Sequence, residues 1–205
     1  MKFSASYSIV FCALVLLLTG PVNVTAQCSD VHIVFARGSG EMPGLGICGT
    51  PLVSGIKQNL AGMSVSSYAV NYLASVTQTS AGPGATDMTN HVKTVAQQCR
   101  TLYSFLADTL KTMLGVGASI PEELAPRIKA IVTFGNPLKL MGQTIERSSQ
   151  LYGSKAIEFC NLGDPVCANG FNTMAHITYP MDGSVTKAAA QAAALVKGNA
   201  RALRG

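Results

Sequence analysis

Four short apolar runs separated by helix-like stretches set the tightest limit on what this chain can fold into. Val31-His32-Ile33-Val34-Phe35-Ala36 ends in the turn Arg37-Gly38-Ser39-Gly40, the pattern of a buried strand feeding a loop. Residues 47–60 then show helical spacing, and 64–70 read as a second strand. Ser80-Ala81-Gly82-Pro83-Gly84 breaks the chain before a helix expected over 87–98. Residues 128–135 and 156–160 supply two more strands, and 184–204 an Ala-rich closing helix. Strand alternating with helix implies right-handed crossovers and a parallel sheet covered on both faces. The expected fold is therefore α/β, a three-layer α/β/α sandwich with a mostly parallel central sheet. Chemistry in such folds gathers beyond the carboxyl ends of the strands, which singles out the turns at 37–40, 135–137 and 161–167.

The first 26 residues have the form of an export signal: Lys2, an apolar run over 9–18, and the small-residue site Val24-Thr25-Ala26. That run is too short to span a bilayer, and no later stretch supplies one, so no membrane anchor is expected. Its removal leaves 179 residues, 27–205, enough for one domain and too few for two. With 48% hydrophobic and 12% charged residues the chain suits a compact secreted protein and not a disordered one. The formal charge of +5 falls to +4 with the loss of Lys2, and without a Lys/Arg block it gives no nucleic-acid footprint. Cys12 leaves with the signal. In an oxidising compartment Cys160 and Cys167 are expected to bridge around Asp164, and Cys28 to pair with Cys99, leaving Cys48 over. No Cys-x-x-Cys and no His at ligand spacing supports a metal site instead.

The chemistry turns on a mismatch. Cys160-Asn161-Leu162-Gly163-Asp164-Pro165-Val166-Cys167, with His176 downstream, has the look of the acid and base of a serine hydrolase, yet no Gly-x-Ser-x-Gly occurs in the chain. Taken alone, an Asp before Pro is often a turn residue and a single His often structural. His91 reads as solvent-facing or capping, and His32 as a residue of a buried strand.

Several collinear segments carry a resemblance to the cutinases and acetylxylan esterases, small secreted α/β-hydrolases. They are 35–41 (Phe-Ala-Arg-Gly-Ser-Gly-Glu), 46–52 (Gly-Ile-Cys-Gly-Thr-Pro-Leu), 80–85, 124–128, 132–137 (Val-Thr-Phe-Gly-Asn-Pro) and the 160–167 block with His176. The resemblance implies Asp164 as triad acid, His176 as general base and Ser39 as an oxyanion-hole residue, with no cofactor or metal. It implies a monomeric carboxylic-ester hydrolase acting on cutin-like polyesters or short acyl esters through an open, apolar-rimmed site. The departure lies in 99–120, where the family's short strand and Gly-Tyr-Ser-Gln-Gly are missing. Tyr103-Ser104 echoes the family's Tyr-Ser, which makes Ser104 the one positional candidate for the nucleophile, without the flanking glycines that an elbow needs. Leu102, Phe105, Leu106 and Leu110 fall at the spacing of an amphipathic helix. Two questions stay open on this reading: whether the sheet has lost its central strand, and whether the chain is an active esterase, an inactive homologue that binds polymer or a host protein, or the product of a truncated coding sequence.

Overall fold

A computed structural model describes residues 28–77, 79–99, 103–107 and 118–198, with only the backbone path for 103–107. The expected leader, and the closing stretch beyond residue 198, lie outside them. The elements run β1 (Val31–Phe35), α1 (Gly46–Asn59), β2 (Val65–Ala69), α2 (Ala81–Gln98), β3 (Tyr103–Ala107), β4 (Ile128–Phe134), α3 (Ile145–Ser148), β5 (Ala156–Phe159), α4 (Thr173–Ile177) and α5 (Ser184–Val196), with 3-10 turns at Glu122–Arg127, Pro137–Met141 and Gly153–Lys155. The strands form one parallel sheet in the order β2-β1-β3-β4-β5. The α/β sandwich expected from the alternation is what the chain forms.

The sheet is buried on both faces, so its inner strands must be apolar on both. Val31, Ile33 and Phe35 pack with Leu52, Val53 and Ile56 of α1 and with Val185, Ala188, Ala189, Ala192 and Ala193 of α5. Val34 and Ala36 point the other way, against Met88 and Val92 of α2. In β4 the register slips between Ser104 and Phe105 of its neighbour, which pair with Ile128 and Ala130. That bulge explains why Ile128 and Ile131, three apart, share the α2 face while Ala130 and Val132 share the other. Burying each such Val or Ile contributes about 1.5–3 kcal/mol. The alanines of α5 let it approach α1 closely, where a Cβ on Gly55 would meet the Ala189 Cβ at 2.8 Å.

Two expectations need correction. Tyr103–Ala107 is a strand and not part of an amphipathic helix; it fills the centre of the sheet between β1 and β4, so the central strand is present. Five residues flanked by strands on both sides gain two ladders of backbone hydrogen bonds, and that outweighs a leucine spacing equally compatible with a helix. The helix expected from residue 87 begins at Ala81. Pro83 sits in its first turn, where the N–H that proline lacks has no intrahelical partner to lose.

The two disulfides join the expected partners, Cys28 with Cys99 and Cys160 with Cys167, and Cys48 is free. The first ties the start of β1 to the end of α2 across 71 residues.

Candidate active site

Parallel strands send their following loops to one edge, and three of those loops carry the residues in question. Ser39 follows β1, Gly135 and Asn136 follow β4, and Asp164 follows β5. The first loop is held by Arg37, which is buried although charged. Its Nε donates to the Glu41 carbonyl at 2.9 Å and its Nη2 to that of Tyr72 at 2.5 Å, while its guanidinium lies over the Tyr72 ring. The Tyr72 hydroxyl donates back to the Arg37 carbonyl. Glu41 accepts from the Gly38 and Ile47 N–H groups, placing a carboxylate at the start of α1 where the helix dipole favours it. Ser39 stands exposed at the tip of this braced turn.

Asp164 occupies the loop closed by Cys160–Cys167. Gly163 adopts φ 84°, and Asp164 is wholly buried. A buried carboxylate needs donors, and it has three: the Val166 N–H to Oδ1 at 2.7 Å, the Tyr179 hydroxyl to Oδ2 at 2.5 Å, and His176 Nδ1 at 2.9 Å from Oδ2 and 3.1 Å from Oδ1. Burial pushes the Asp164 carboxyl up, but the bonds from Tyr179, His176 and Val166 together outweigh it and hold its pKa below the ordinary carboxylate value.

His176 rides on α4, whose N-cap Asn172 accepts from the Met174 N–H. Two links fasten that helix to the Asp164 loop: Asn161 Nδ2 donates to the Ala175 carbonyl at 2.9 Å, and the Asn172 N–H to the Gly163 carbonyl at 2.9 Å. Gly135 supplies the floor. At φ 69° it is in the region that favours glycine, and a Cβ there would lie 2.6 Å from His176 Cε1. The side chain of His176 is 36% exposed. With Nδ1 committed to a carboxylate, the assigned tautomer carries its proton there and leaves the Nε2 lone pair free to accept one.

Ser104 is placed differently. It is the second residue of β3, in register with His32 and Ile128, and Ala107 closes the strand. Three residues of strand put it about 10 Å short of the edge where Asp164 and His176 sit. The segment that follows Ala107, 108–117, lies outside the described residues. Cys48 offers no substitute: burial first, then Glu41 and Asp182, pushes its thiol up to about 12, so it is not a thiolate at neutral pH. Among the described residues no group of three or more His, Cys, Asp or Glu is placed to hold a metal.

Apolar side chains rim this edge. Leu162, Phe171, Met174, Ile177 and Met181 are exposed on the His176 side, and Met42, Leu73 and Val76 near the Ser39 turn. Tyr179 is the site residue that sequence reasoning missed, and Gly135 lay in a turn that the sequence singled out without a role for it. The spacing His176-Ile177-Thr178-Tyr179, one helical turn, was the signal available for the first.

The Cutinase family model matches residues 27–196. A cutinase of Kineococcus radiotolerans is 45% identical over 186 residues, 84% of this chain and 63% of that protein. This chain thus spans less than two thirds of that relative's length. From Mycobacterium tuberculosis, phospholipase Culp4 is 34% identical over 193 residues (87% of this chain, 85% of that one) and carboxylesterase Culp1 33% identical over 176 residues (81% of each). Among solved structures, Trichoderma reesei cutinase in complex with a C11Y4 phosphonate inhibitor superposes with TM-score 0.67 at 24% identity, covering 82% of this chain and 77% of that one. An acetylxylan esterase superposes with TM-score 0.67 at 19% identity, covering 84% and 99%. These two bear on the fold alone, and they share it. The matched segment takes in both disulfides, the Asp164–His176 pair and all of α5, and on that ground the chain belongs to the cutinase family.

Proposed function

We propose that this protein is a secreted carboxylic-ester hydrolase in which His176 is the general base, Asp164 the acid that orients it, and the Ser39 turn part of the oxyanion hole. The single observation that supports it is the buried Asp164 carboxylate 2.9 Å from Nδ1 of an imidazole that is itself 36% exposed. In this reading Nε2 takes the proton of the attacking hydroxyl, Asp164 stabilises the imidazolium, and the same proton passes to the departing alkoxide. Water then repeats the cycle on the acyl-enzyme. The exposed apolar rim suits an extended apolar substrate, either a cutin-like polyester or a short acyl ester. The export signal and two disulfides support an extracellular location.

The position of Ser104 within β3 favours a second reading, a homologue that binds ester polymer without turning it over. One experiment separates the two. Hydrolysis of p-nitrophenyl butyrate is measured with and without a serine-directed phosphonate, and the adduct is located by peptide mass spectrometry. Phosphonate-sensitive turnover with a single labelled residue is expected. Polymer binding with neither turnover nor label overturns the hydrolase reading. Sequencing the transcript across 99–120 then tells whether a Gly-Tyr-Ser-Gln-Gly segment is encoded.

A further inference from the structure

The Tyr179 hydroxyl has a direction. It accepts from the Asn161 N–H at 3.1 Å, and its own proton goes to Asp164 Oδ2 at 2.5 Å. The resulting chain, Asn161 to Tyr179 to Asp164 to His176, runs from the disulfide loop to the imidazole, and polarisation along it strengthens each bond. The ring has no room to swing away. It is 1% exposed, tilted against Phe134 with centroids 5.7 Å apart, and edge-on to His176 at 84°. Cys167 Sγ lies 3.6 Å from the hydroxyl, so the disulfide backs it as well.

The consequence concerns rotation. A carboxylate free to turn about its Cβ–Cγ bond presents either oxygen, or neither, to the imidazole. Here Oδ1 accepts from the Val166 N–H, with His176 Nδ1 3.1 Å away, and Oδ2 is held between the Tyr179 hydroxyl and His176 Nδ1 at the shorter 2.9 Å. Removing the hydroxyl leaves Oδ2 with the imidazole alone. Burial and the adjoining carboxylate raise the phenol's pKa, so it stays a donor throughout the neutral range.

We propose that Tyr179 is the positioning residue of this acid and base, its hydroxyl fixing the rotation of the Asp164 carboxylate that aims Oδ2 at His176. The proposal rests on the catalytic reading of Asp164 and His176 for its kinetic consequence, but its geometric core does not. The test uses the full chain with 13C-labelled aspartate carboxyls and follows the Asp164 titration by NMR. Tyr179→Phe keeps the ring and removes the donor, so the Asp164 midpoint moves up. Biosynthetic 3-fluorotyrosine makes the phenol a stronger donor without a mutation that endangers folding, so the midpoint moves down. Phe134→Leu disturbs the packing around the ring and leaves the hydroxyl, so the midpoint stays. In ester hydrolysis Tyr179→Phe lowers kcat about tenfold with KM unchanged, the worth of one charge-assisted hydrogen bond. Identical Asp164 midpoints in the Tyr179→Phe and fluorotyrosine proteins, or a Phe134→Leu shift as large as that of Tyr179→Phe, overturn the proposal. A wild-type chain without hydrolysis overturns the catalytic reading instead, and the carboxyl shifts still decide the role of Tyr179.

Discussion

The molecule holds two histidine sites, and they differ in what faces the ring. At the carboxyl edge of the sheet His176 meets a buried carboxylate while its side chain stays 36% exposed. On the α2 face His32 Nε2 lies 2.7 Å from His91 Nε2, while His32 Nδ1 bonds Ser66 Oγ at 2.7 Å. His91 stacks on Tyr68, whose hydroxyl donates to Asp87. No hydrogen bond joins a carboxylate to either ring of that pair among the described residues, and burial of His91 outweighs the pull of the Asp87 charge one turn away on α2. Burial lowers the pKa of both rings, that of His32 to about 4, so at neutral pH the pair is neutral, one Nε2–H donating to the other Nε2 and joining β1 to α2. Residue type therefore says little about a histidine's task. The neighbour decides: one ring bonds a buried carboxylate, and the other two bond each other.

Breaking the first site gives the largest effect. Asp164→Asn removes the charge that fixes the tautomer, and ester hydrolysis is expected to fall about 10⁴-fold with the fold retained; a loss under tenfold excludes Asp164 from the proposed role. Next comes the disulfide that ties the start of β1 to the end of α2, the two elements that carry the second site. Cys28→Ser with Cys99→Ser frees a loop of 71 residues, worth about 4 kcal/mol on the chain-entropy model, read as a lower denaturant midpoint. Cys160→Ser with Cys167→Ser opens a loop that spans a separation of only 7 and costs less stability, but it loosens Asp164. Gly135→Ala drives a Cβ into His176, and displacing the ring by an ångström lowers kcat about 100-fold. A crystal structure of that variant shows whether the ring has moved.

Acid separates the sites most gently. Burial, with His91 second, lowers His32 to about 4 from 6.5. The unfolded chain thus binds the proton more readily, and stability present above pH 6.5 is lost as pH falls toward 4. Asp164, lowered from 3.8, contributes stability above that value that disappears only as pH drops through its folded pKa. Thermal melts between pH 7 and pH 4 are expected to show the first loss, and His32→Gln to flatten it. An unchanged slope in His32→Gln contradicts the assignment.

Much of this fold is legible in the amino-acid sequence. The strands at Val31–Phe35 and Ile128–Phe134 announce themselves by unbroken apolar runs, and the loop holding Asp164 by two cysteines at short spacing. Tyr103–Ala107 did not, because five residues with leucines nearby fit either period, and only strands on both sides select one. The start of α2 was hidden by Gly82-Pro83-Gly84, whose breaking power fails in a first turn. Tyr179 carried a spacing signal too weak to read alone.

The sequence by itself determined the α/β alternation, the disulfide partners and the family, because local periodicity and collinear motifs survive without knowledge of neighbours. Only the tertiary structure decided that Ser104 lies inside the sheet, that Tyr179 locks Asp164, and that His32 and His91, 59 residues apart, share one contact. Those facts depend on strand order and crossovers, and short-range sequence pattern does not encode which distant groups a crossover brings together.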